Sequence, residues 1–281
     1  METNILKAIK NIIDNPVADL VSFYGSTNRM NGMGESLELY IKDIFCGSLG
    51  VQDMAEKNRI FSTHFSYIGN DTNPPDIMIK GGDAIEVKKI ETLNTDIALN
   101  SSYPKDKLYA DSPMITTACR ECENWAQKDL LYIVGLVKET KLKSLWFVYG
   151  DCYAANKETY ERIKTKISVG LRELPDIELA ETNEIGRLNR VDPLGITYLR
   201  IRGMWGINNP NKVFSYITPQ TQGDFIINVL LLRSKYDSFP QADRTALENF
   251  PNENFSISDV QIKSPNNPAV LLDAKLISFI K

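Results

Sequence analysis

The chain has 281 residues, of which 43% are hydrophobic and 24% are charged, with a formal net charge of −4. This length can bury a sizeable core, as one elaborated α/β domain or as a catalytic domain with a smaller C-terminal part. No apolar run approaches the roughly 20 residues of a membrane-spanning helix, and no signal peptide is apparent, so we expect a cytoplasmic protein without a membrane segment. The acidic balance does not favour nucleic-acid binding, but phosphate contacts depend on a local basic surface.

Hydrophobic spacing predicts two helices in the first part of the chain, separated by a polar loop around residues 24–32. The apolar face of the first helix contains Ile5, Leu6, Ile9, Ile12 and Ile13. The second helix covers residues 33–45, with Met33, Leu37, Tyr40, Ile41, Ile44 and Phe45 on one face.

Strands and helices then alternate along the chain. Three strands are predicted near residues 63–69, 76–80 and 84–91, and a helix begins near Thr116 or Thr117. Two buried strands at residues 130–138 and 144–154 and a helix at 156–174 follow. This order predicts an α/β fold with a central sheet flanked by helices, and residues beyond about 175 read as an extension of mixed short strands.

Residues 75–88 are the most informative stretch. Two short apolar runs flank Gly81-Gly82, which predicts a β-hairpin that brings Asp76 beside Glu86. Glu86 and Lys88 are two residues apart and share one face of their strand. The hairpin therefore places a carboxylate pair and an ammonium group on rigid backbone.

This set of side chains suits metal-dependent hydrolysis of a phosphodiester. Asp76 and Glu86 are hard oxygen ligands that can hold Mg²⁺ while leaving room for water and a phosphate oxygen. Lys88 can lower the pKa of the attacking water or stabilise charge that develops on the phosphate. The bare spacing also arises by chance near turns, and the hairpin context is what favours a catalytic site.

The residues resemble the PD-(D/E)xK nuclease superfamily, with Pro75-Asp76 followed by Glu86-Val87-Lys88. More of the chain is similar to type II restriction endonucleases of the NgoPII-like family. The similar segments are "NIIDNP", "NRMNGMGESLELYIKDIFCG", "EVKKIETLNTDIALNSSYPKDKLYADSPMI" and "LRIRGMWGINNP". The resemblance implies a restriction-endonuclease-like core with a central mixed sheet in residues 1–175, including N-terminal helices. Residues 176–281 would be a family-specific extension that packs on the core and contributes to DNA binding.

The second helix offers a third candidate metal ligand in addition to Asp76 and Glu86, as a helix Glu does in many related nucleases. Measured from Leu37, Glu38 lies at about 100° and Glu35 at about 160° around the helix axis. Glu38 therefore borders the packed face and Glu35 points to solvent, so Glu38 is the better candidate beside Asp76 and Glu86.

Two segments are candidate DNA contacts. The loop after the catalytic strand is rich in short hydrogen-bonding side chains and lysines, which can read base edges or hold phosphates. Its candidates are Asn100, Ser101, Ser102, Lys105 and Lys107, and the resemblance supports the first four. In the later segment Arg200 and Arg202 share a strand face, and arginine is the usual partner of guanine O6 and N7. An ordinary turn-rich loop and solvated strand faces are the alternative interpretations.

These observations predict a type II restriction endonuclease that cuts both strands of a short palindrome with Mg²⁺. A palindromic target implies a twofold homodimer. The resemblance implies the target GGCC, cut between G and C, and a DNA methyltransferase of the same specificity as companion. Two other classes stay open: a structure-specific nuclease of the same superfamily, and a non-catalytic DNA-binding protein.

Other common chemistries are poorly supported. Cys119 and Cys122 have zinc-like spacing, but no second ligand pair exists and His64 is the only histidine. The single histidine also disfavours Cys/His or Ser/His catalysis.

Overall fold

A computed structural model describes residues 3–17, 19–24, 33–70, 73–218 and 223–281. Most of the loop predicted around residues 24–32 lies outside these ranges. The helices are α1 Ile5–Asp14, α2 Leu20–Tyr24, α3 Met33–Cys46, α4 Met54–His64, α5 Thr117–Glu121, α6 Gly150–Tyr153, α7 Lys157–Arg172, α8 Pro210–Val213, α9 Arg233–Ser238 and α10 Gln241–Glu248. The strands are β1 Phe65–Asn70, β2 Asn73–Ile79, β3 Ala84–Ile90, β4 Ile97–Asn100, β5 Lys107–Tyr109, β6 Gln127–Lys138, β7 Lys141–Tyr149, β8 Gly186–Leu188, β9 Leu199–Ile201, β10 Trp205–Ile207, β11 Ile226–Leu232, β12 Phe255–Lys263 and β13 Leu271–Ile280.

Within the described residues, the main sheet has the strand order β1-β2-β3-β6-β7-β11-β13-β12, and β5 pairs with β6. β3 runs parallel to β6, and β7 runs parallel to β11. The other neighbours are antiparallel. This arrangement confirms the predicted mixed sheet flanked by helices.

The second predicted helix forms as α3 and packs on β3 through its apolar face. Leu37, Tyr40, Ile41 and Ile44 are all buried to 1% exposure or less. Gly135 on β6 provides the space for Leu37, because a Cβ at that position would lie 2.7 Å from Leu37 Cδ2. The helical phase predicted from the sequence is therefore confirmed.

A buried polar cluster fixes α3 against its neighbouring helices. The Asp43 carboxylate accepts hydrogen bonds from Tyr24 Oη at 2.7 Å and Ser48 Oγ at 2.6 Å. It also pairs with Lys57 of α4, and both members of this ion pair are buried. Because a buried charge needs a partner, this cluster fixes the helix that carries Glu38.

The segment after residue 175 supplies strands to the same sheet. β11 pairs directly with β7 on one side and with β13 on the other. Its central residues are buried, as expected of a strand covered on both faces. The division of the chain at residue 175 stays a prediction.

One predicted strand is shorter than expected. Residues 144–154 were expected to be extended, but β7 ends at Tyr149 and α6 begins at Gly150. A Cβ at Gly150 would lie 2.3 Å from Lys105 O and 2.4 Å from Asp106 O. The prediction of a continuous strand was wrong because this close loop contact, which the local pattern does not reveal, lies at the point where the chain turns.

Candidate active site

The predicted hairpin forms from β2 and β3. Ile77 pairs with Ile85 and Met78 with Ala84, so the strands are antiparallel in the register that the sequence implied. Gly81 has φ of 63°, a conformation that favours glycine, and the N–H of Gly82 donates to Ile79 O at 3.0 Å. The tight turn thereby fixes the carboxylates of the two strands relative to each other.

Asp76, Glu86 and Lys88 lie together, as predicted. Lys88 Nζ is 2.6 Å from Glu86 Oε1, and these side chains are 25% and 12% exposed. Asp76 Oδ2 accepts a hydrogen bond from the N–H of Val87 at 2.6 Å. The three groups form one compact, largely desolvated charge cluster.

Burial dominates the electrostatics of this cluster. Burial, reinforced by the Glu86 carboxylate, raises the pKa of Asp76 to about 7, while Lys88 opposes the shift. For Lys88, burial acts to lower the pKa, but Glu86 and Asp76 outweigh it and raise the pKa above its usual value. Lys88 therefore does not fully offset the burial of the Asp76 carboxylate, and a bound cation would favour its ionised form.

A second observation fits a metal ion. Glu86 Oε2 is buried and has no hydrogen-bond partner among the described residues. Buried carboxylate oxygens normally have a partner, so this atom has the character of a ligand position. Within the described ranges, no three His, Cys, Asp or Glu side chains come close enough to share one ion. Asp76 and Glu86 therefore offer two carboxylates.

Glu38 lies on α3 at the border of the packed face, whereas Glu35 is exposed, as the helical phase predicted. Its charge acts to raise the pKa of Asp76 and of Lys88, which places it in the same electrostatic field. Its Oε2 lies 3.9 Å from Lys42 Nζ. The role of Glu38 as a further metal ligand stays a prediction.

Asp76, Glu86 and Lys88 border a cavity of about 420 Å³, which we call the catalytic cavity after their predicted role. It is large enough to admit part of a nucleotide chain. Asn100, Ser101 and Ser102 also line this cavity, together with Arg202. The loop predicted to contact DNA therefore lines the same cavity as the proposed metal ligands.

The conformation of this loop depends on residues far along the chain. β4 pairs with β10, with Asn100 opposite Trp205. Asn100 has φ of 51°, in the left-handed region that asparagine tolerates better than most residues. Fully buried Asn209 donates to Leu93 O at 2.6 Å and Thr95 O at 2.8 Å, which holds the segment before β4. The segment "LRIRGMWGINNP" thus supports the loop as well as supplying arginines.

The two lysines that were predicted to bind DNA, Lys105 and Lys107, do not line the catalytic cavity, unlike Asn100, Ser101 and Ser102. Lys105 is only 6% exposed, and its ammonium group donates to Ser102 Oγ and to Tyr103 O. Burial lowers the pKa of Lys105 to about 8. Lys107 forms an ion pair of 2.5 Å with Asp129 and does not line the catalytic cavity. Their DNA contacts stay predictions.

Both predicted arginines bind one carboxylate that the sequence analysis did not identify. Glu184 accepts from Arg200 and from Arg202, each at 2.5 Å. Glu184 and Arg202 line a second cavity of about 360 Å³, which shares Ser101 with the catalytic cavity. No local motif marks Glu184, because its partners become neighbours only through the pairing of β8 with β9.

A mixed sheet with a buried Asp-Glu-Lys cluster beside a polar loop defines a restriction-endonuclease-like protein. Residues 3–263 match the family model described as NgoPII restriction endonuclease. The chain is also 47% identical over 278 residues to "Type II restriction enzyme NgoPII" of Neisseria gonorrhoeae, covering 98% of this chain and 99% of that relative. No solved structure matches the chain. The chain therefore belongs to the NgoPII restriction endonuclease family.

This membership confirms the predicted class, a type II restriction enzyme, which is a site-specific deoxyribonuclease acting on double-stranded DNA. It is favoured over the structure-specific nuclease and the non-catalytic DNA-binding protein. Among the described helices, none combines the length and apolar character needed to cross a bilayer.

Proposed function

We propose that the protein hydrolyses both strands of a short palindrome, with Asp76, Glu86 and Lys88 as the catalytic group. The observation that carries this assignment is the buried carboxylate pair with its adjacent lysine, at the wall of a cavity that the Asn100–Ser102 loop also lines. Membership in a restriction endonuclease family supports the reaction class.

The proposed cofactor is Mg²⁺. Type II restriction enzymes generally use divalent metal ions, and hard carboxylate oxygens suit Mg²⁺. Asp76 and Glu86 would hold the ion, and the unpartnered Glu86 Oε2 and the raised pKa of Asp76 fit this role. When bound, the ion supplies positive charge to the phosphate and lowers the pKa of water. Glu38 is proposed as an additional ligand from the neighbouring helix; its carboxylate does not converge with Asp76 and Glu86 in this structure, so it would reach the ion after a change of side-chain conformation.

The chain's own groups orient the reaction. The Val87 N–H holds Asp76 Oδ2, and the Lys88 ammonium is held by Glu86 Oε1. Since the pKa of Lys88 is raised, its side chain stays protonated and can donate to the attacking water or to a phosphate oxygen. Lys88 therefore serves as a positioned positive charge and hydrogen-bond donor.

DNA contacts are proposed for the two segments beside the catalytic cluster. Asn100, Ser101 and Ser102 line the catalytic cavity. Arg202 borders the same cavity, and Arg200 shares its Glu184 partner. Lys105 and Lys107 are also proposed to contact DNA. The Lys105 ammonium group donates a hydrogen bond to Ser102 Oγ, and Lys107 is the first residue of β5. The extension beyond residue 175 contributes to binding through the arginines.

The recognition sequence GGCC, cut between G and C, is proposed from the family resemblance. A palindrome read by identical subunits implies a homodimer in which each active site cuts one strand. A methyltransferase of the same specificity would protect host DNA and is the proposed functional companion.

Digestion of unmethylated phage DNA with Mg²⁺, followed by end mapping, tests this function. We expect discrete fragments whose ends define one short palindrome, and no cleavage with chelator. DNA methylated at GGCC should resist cleavage. A continuous smear, or cutting only at junctions and flaps, would contradict sequence-specific cleavage, and discrete ends at another palindrome would contradict GGCC alone.

A further inference from the structure

Glu184 accepts two hydrogen bonds from Arg200 and one from Arg202. Arg200 uses both Nε, at 2.9 Å, and Nη2, at 2.5 Å, on the Glu184 carboxylate. Arg202 uses Nε, at 2.5 Å, and its two terminal amino groups have no hydrogen-bond partner among the described residues. Arg200 thus commits its side chain in a bidentate pair, whereas Arg202 keeps the two donors that match guanine O6 and N7.

The two arginines also differ in whether they line the cavities beside the proposed active site. Arg202 borders both the catalytic cavity and the adjoining cavity of about 360 Å³ that contains Glu184. Arg200 lies on β9 and, among the described residues, is not part of the lining of either cavity. Of the two arginines, Arg202 is therefore the one that a base in these cavities would meet.

The Glu184 carboxylate is itself held in place. Its backbone N–H donates to Thr182 Oγ1 at 3.1 Å, and the preceding carbonyl of Asn183 accepts from Lys164 of α7 at 2.6 Å. Its side chain is 17% exposed, against 43% for Arg200 and 48% for Arg202. The arginines lower the pKa of Glu184 to about 2, with Arg200 making the larger contribution, so the carboxylate stays ionised at assay pH.

From this geometry we infer that Glu184 is a specificity-determining positioning residue: it orients Arg202 to read a guanine and keeps Arg200 out of base readout. An oriented guanidinium distinguishes G·C from other pairs, since a misplaced donor pair loses the bidentate geometry. The inference rests on the proposed cleavage of a short palindrome and assigns one of its base contacts.

The test compares cleavage rates on the mapped site with rates on duplexes carrying each single base-pair change. The variants are Glu184→Gln, Arg202→Ala and Arg200→Ala, and Glu181→Gln, at an exposed nearby position, is the matched control. We expect Arg202→Ala and Glu184→Gln each to reduce discrimination by about tenfold or more at one guanine position. Arg200→Ala and the control should keep discrimination within about threefold of wild type.

The variant Glu184→Asp distinguishes the effect of the position of the carboxylate from the effect of its charge. Glu184→Asp keeps the negative charge but withdraws it from the arginines, so it should lose discrimination at the same guanine position as Glu184→Gln. This variant also serves as a second test if Glu184→Gln unfolds, which circular dichroism would show. Because Glu184 acts through Arg202, combining Glu184→Gln with Arg202→Ala should lower discrimination no further than Arg202→Ala alone.

Other outcomes overturn the inference. If Glu184→Gln tightens binding to all duplexes equally and leaves discrimination unchanged, then Glu184 only competes with DNA phosphate for the two arginines. Equal losses of discrimination at one guanine position for Arg200→Ala and Arg202→Ala would place Arg200 in base readout and overturn the inference. Losses that are the same at every base pair would make both arginines backbone contacts. If wild-type enzyme gives no discrete fragments, the proposed function itself fails and the inference with it. Discrete fragments with unchanged discrimination in the Glu184 variants would overturn the inference alone.

Discussion

The Asp76 carboxylate accepts a 2.6 Å hydrogen bond from the N–H of Val87, the residue between Glu86 and Lys88. This bond joins β2 to β3 at the point where their functional side chains meet. Since the donor is backbone, the position of Asp76 relative to Glu86 depends on the hairpin itself and not on a flexible side chain. The first prediction follows from this rigidity.

Asp76→Ala or Glu86→Ala should reduce the cleavage rate by at least about 100-fold, because each removes a charge partner that stabilises the transition state. Binding of cognate DNA should persist, since neither change removes a basic group. Rates with Mg²⁺ and binding measured by fluorescence anisotropy check this. Glu91→Ala removes an exposed carboxylate just after the same strand and should cleave at the wild-type rate. Near wild-type cleavage by either active-site variant would exclude the proposed site.

The two acidic residues of α3 should behave differently. Glu38→Gln should slow cleavage or raise the Mg²⁺ concentration needed for half-maximal rate, because Glu38 lies in the field of Asp76 and Lys88. Glu35→Gln, at an exposed position of the same helix, should behave as wild type. Titration of cleavage rate against Mg²⁺ separates these outcomes. Identical titration curves for wild type and Glu38→Gln would remove Glu38 from the metal site.

Lys105 should make stability depend on pH. Burial lowers its folded-state pKa to about 8, below the unfolded value of about 10.4, so the unfolded state binds more protons between these values. The free energy of unfolding of wild type relative to Lys105→Met should therefore rise with pH from about 8 towards 10, by up to about 1.4 kcal/mol per pH unit. Urea unfolding at several pH values measures this difference.

Lys107→Met is the control for that experiment. Although burial acts to lower the pKa of Lys107, its pairing with Asp129 outweighs this and raises the pKa, so its contribution to stability should not rise over the same interval. A pH-independent difference between wild type and Lys105→Met would show that the Lys105 ammonium is not desolvated beneath Ser102.

Gly150→Ala should be destabilising and should slow cleavage. The added Cβ would meet Lys105 O at 2.3 Å and Asp106 O at 2.4 Å, which forces the loop that carries Lys105 to move. We expect a cost of about 1–3 kcal/mol in urea unfolding. Gly170→Ala on α7 is a matched control, because outside the helix's own backbone and the two adjacent residues no atom lies within 4 Å of the added Cβ. That change should stabilise the protein by about 0.5–1 kcal/mol with unchanged cleavage.

Local sequence patterns predicted the parts of the site that depend on short separations. The Gly-Gly turn and alternating residues placed Asp76, Glu86 and Lys88, and the helical period separated Glu38 from Glu35. α4 was not predicted because its apolar spacing is weak, although Asp53 caps it by accepting from two backbone N–H groups. The Glu184 contacts and the support of Asn209 for Leu93 and Thr95 depend on distant segments that no period in the sequence brings together.

The place of β11 between β7 and β13 has a consequence for synthesis of the enzyme in the cell. While the ribosome is translating residues up to about 200, the far edge of β7 has no neighbour, and its backbone N–H and C=O groups can pair with other chains. Parallel pairing of β7 with β11 closes a connection of many residues and is intrinsically slow. That edge of β7 therefore stays open to pairing with other chains until β11 has emerged and docked.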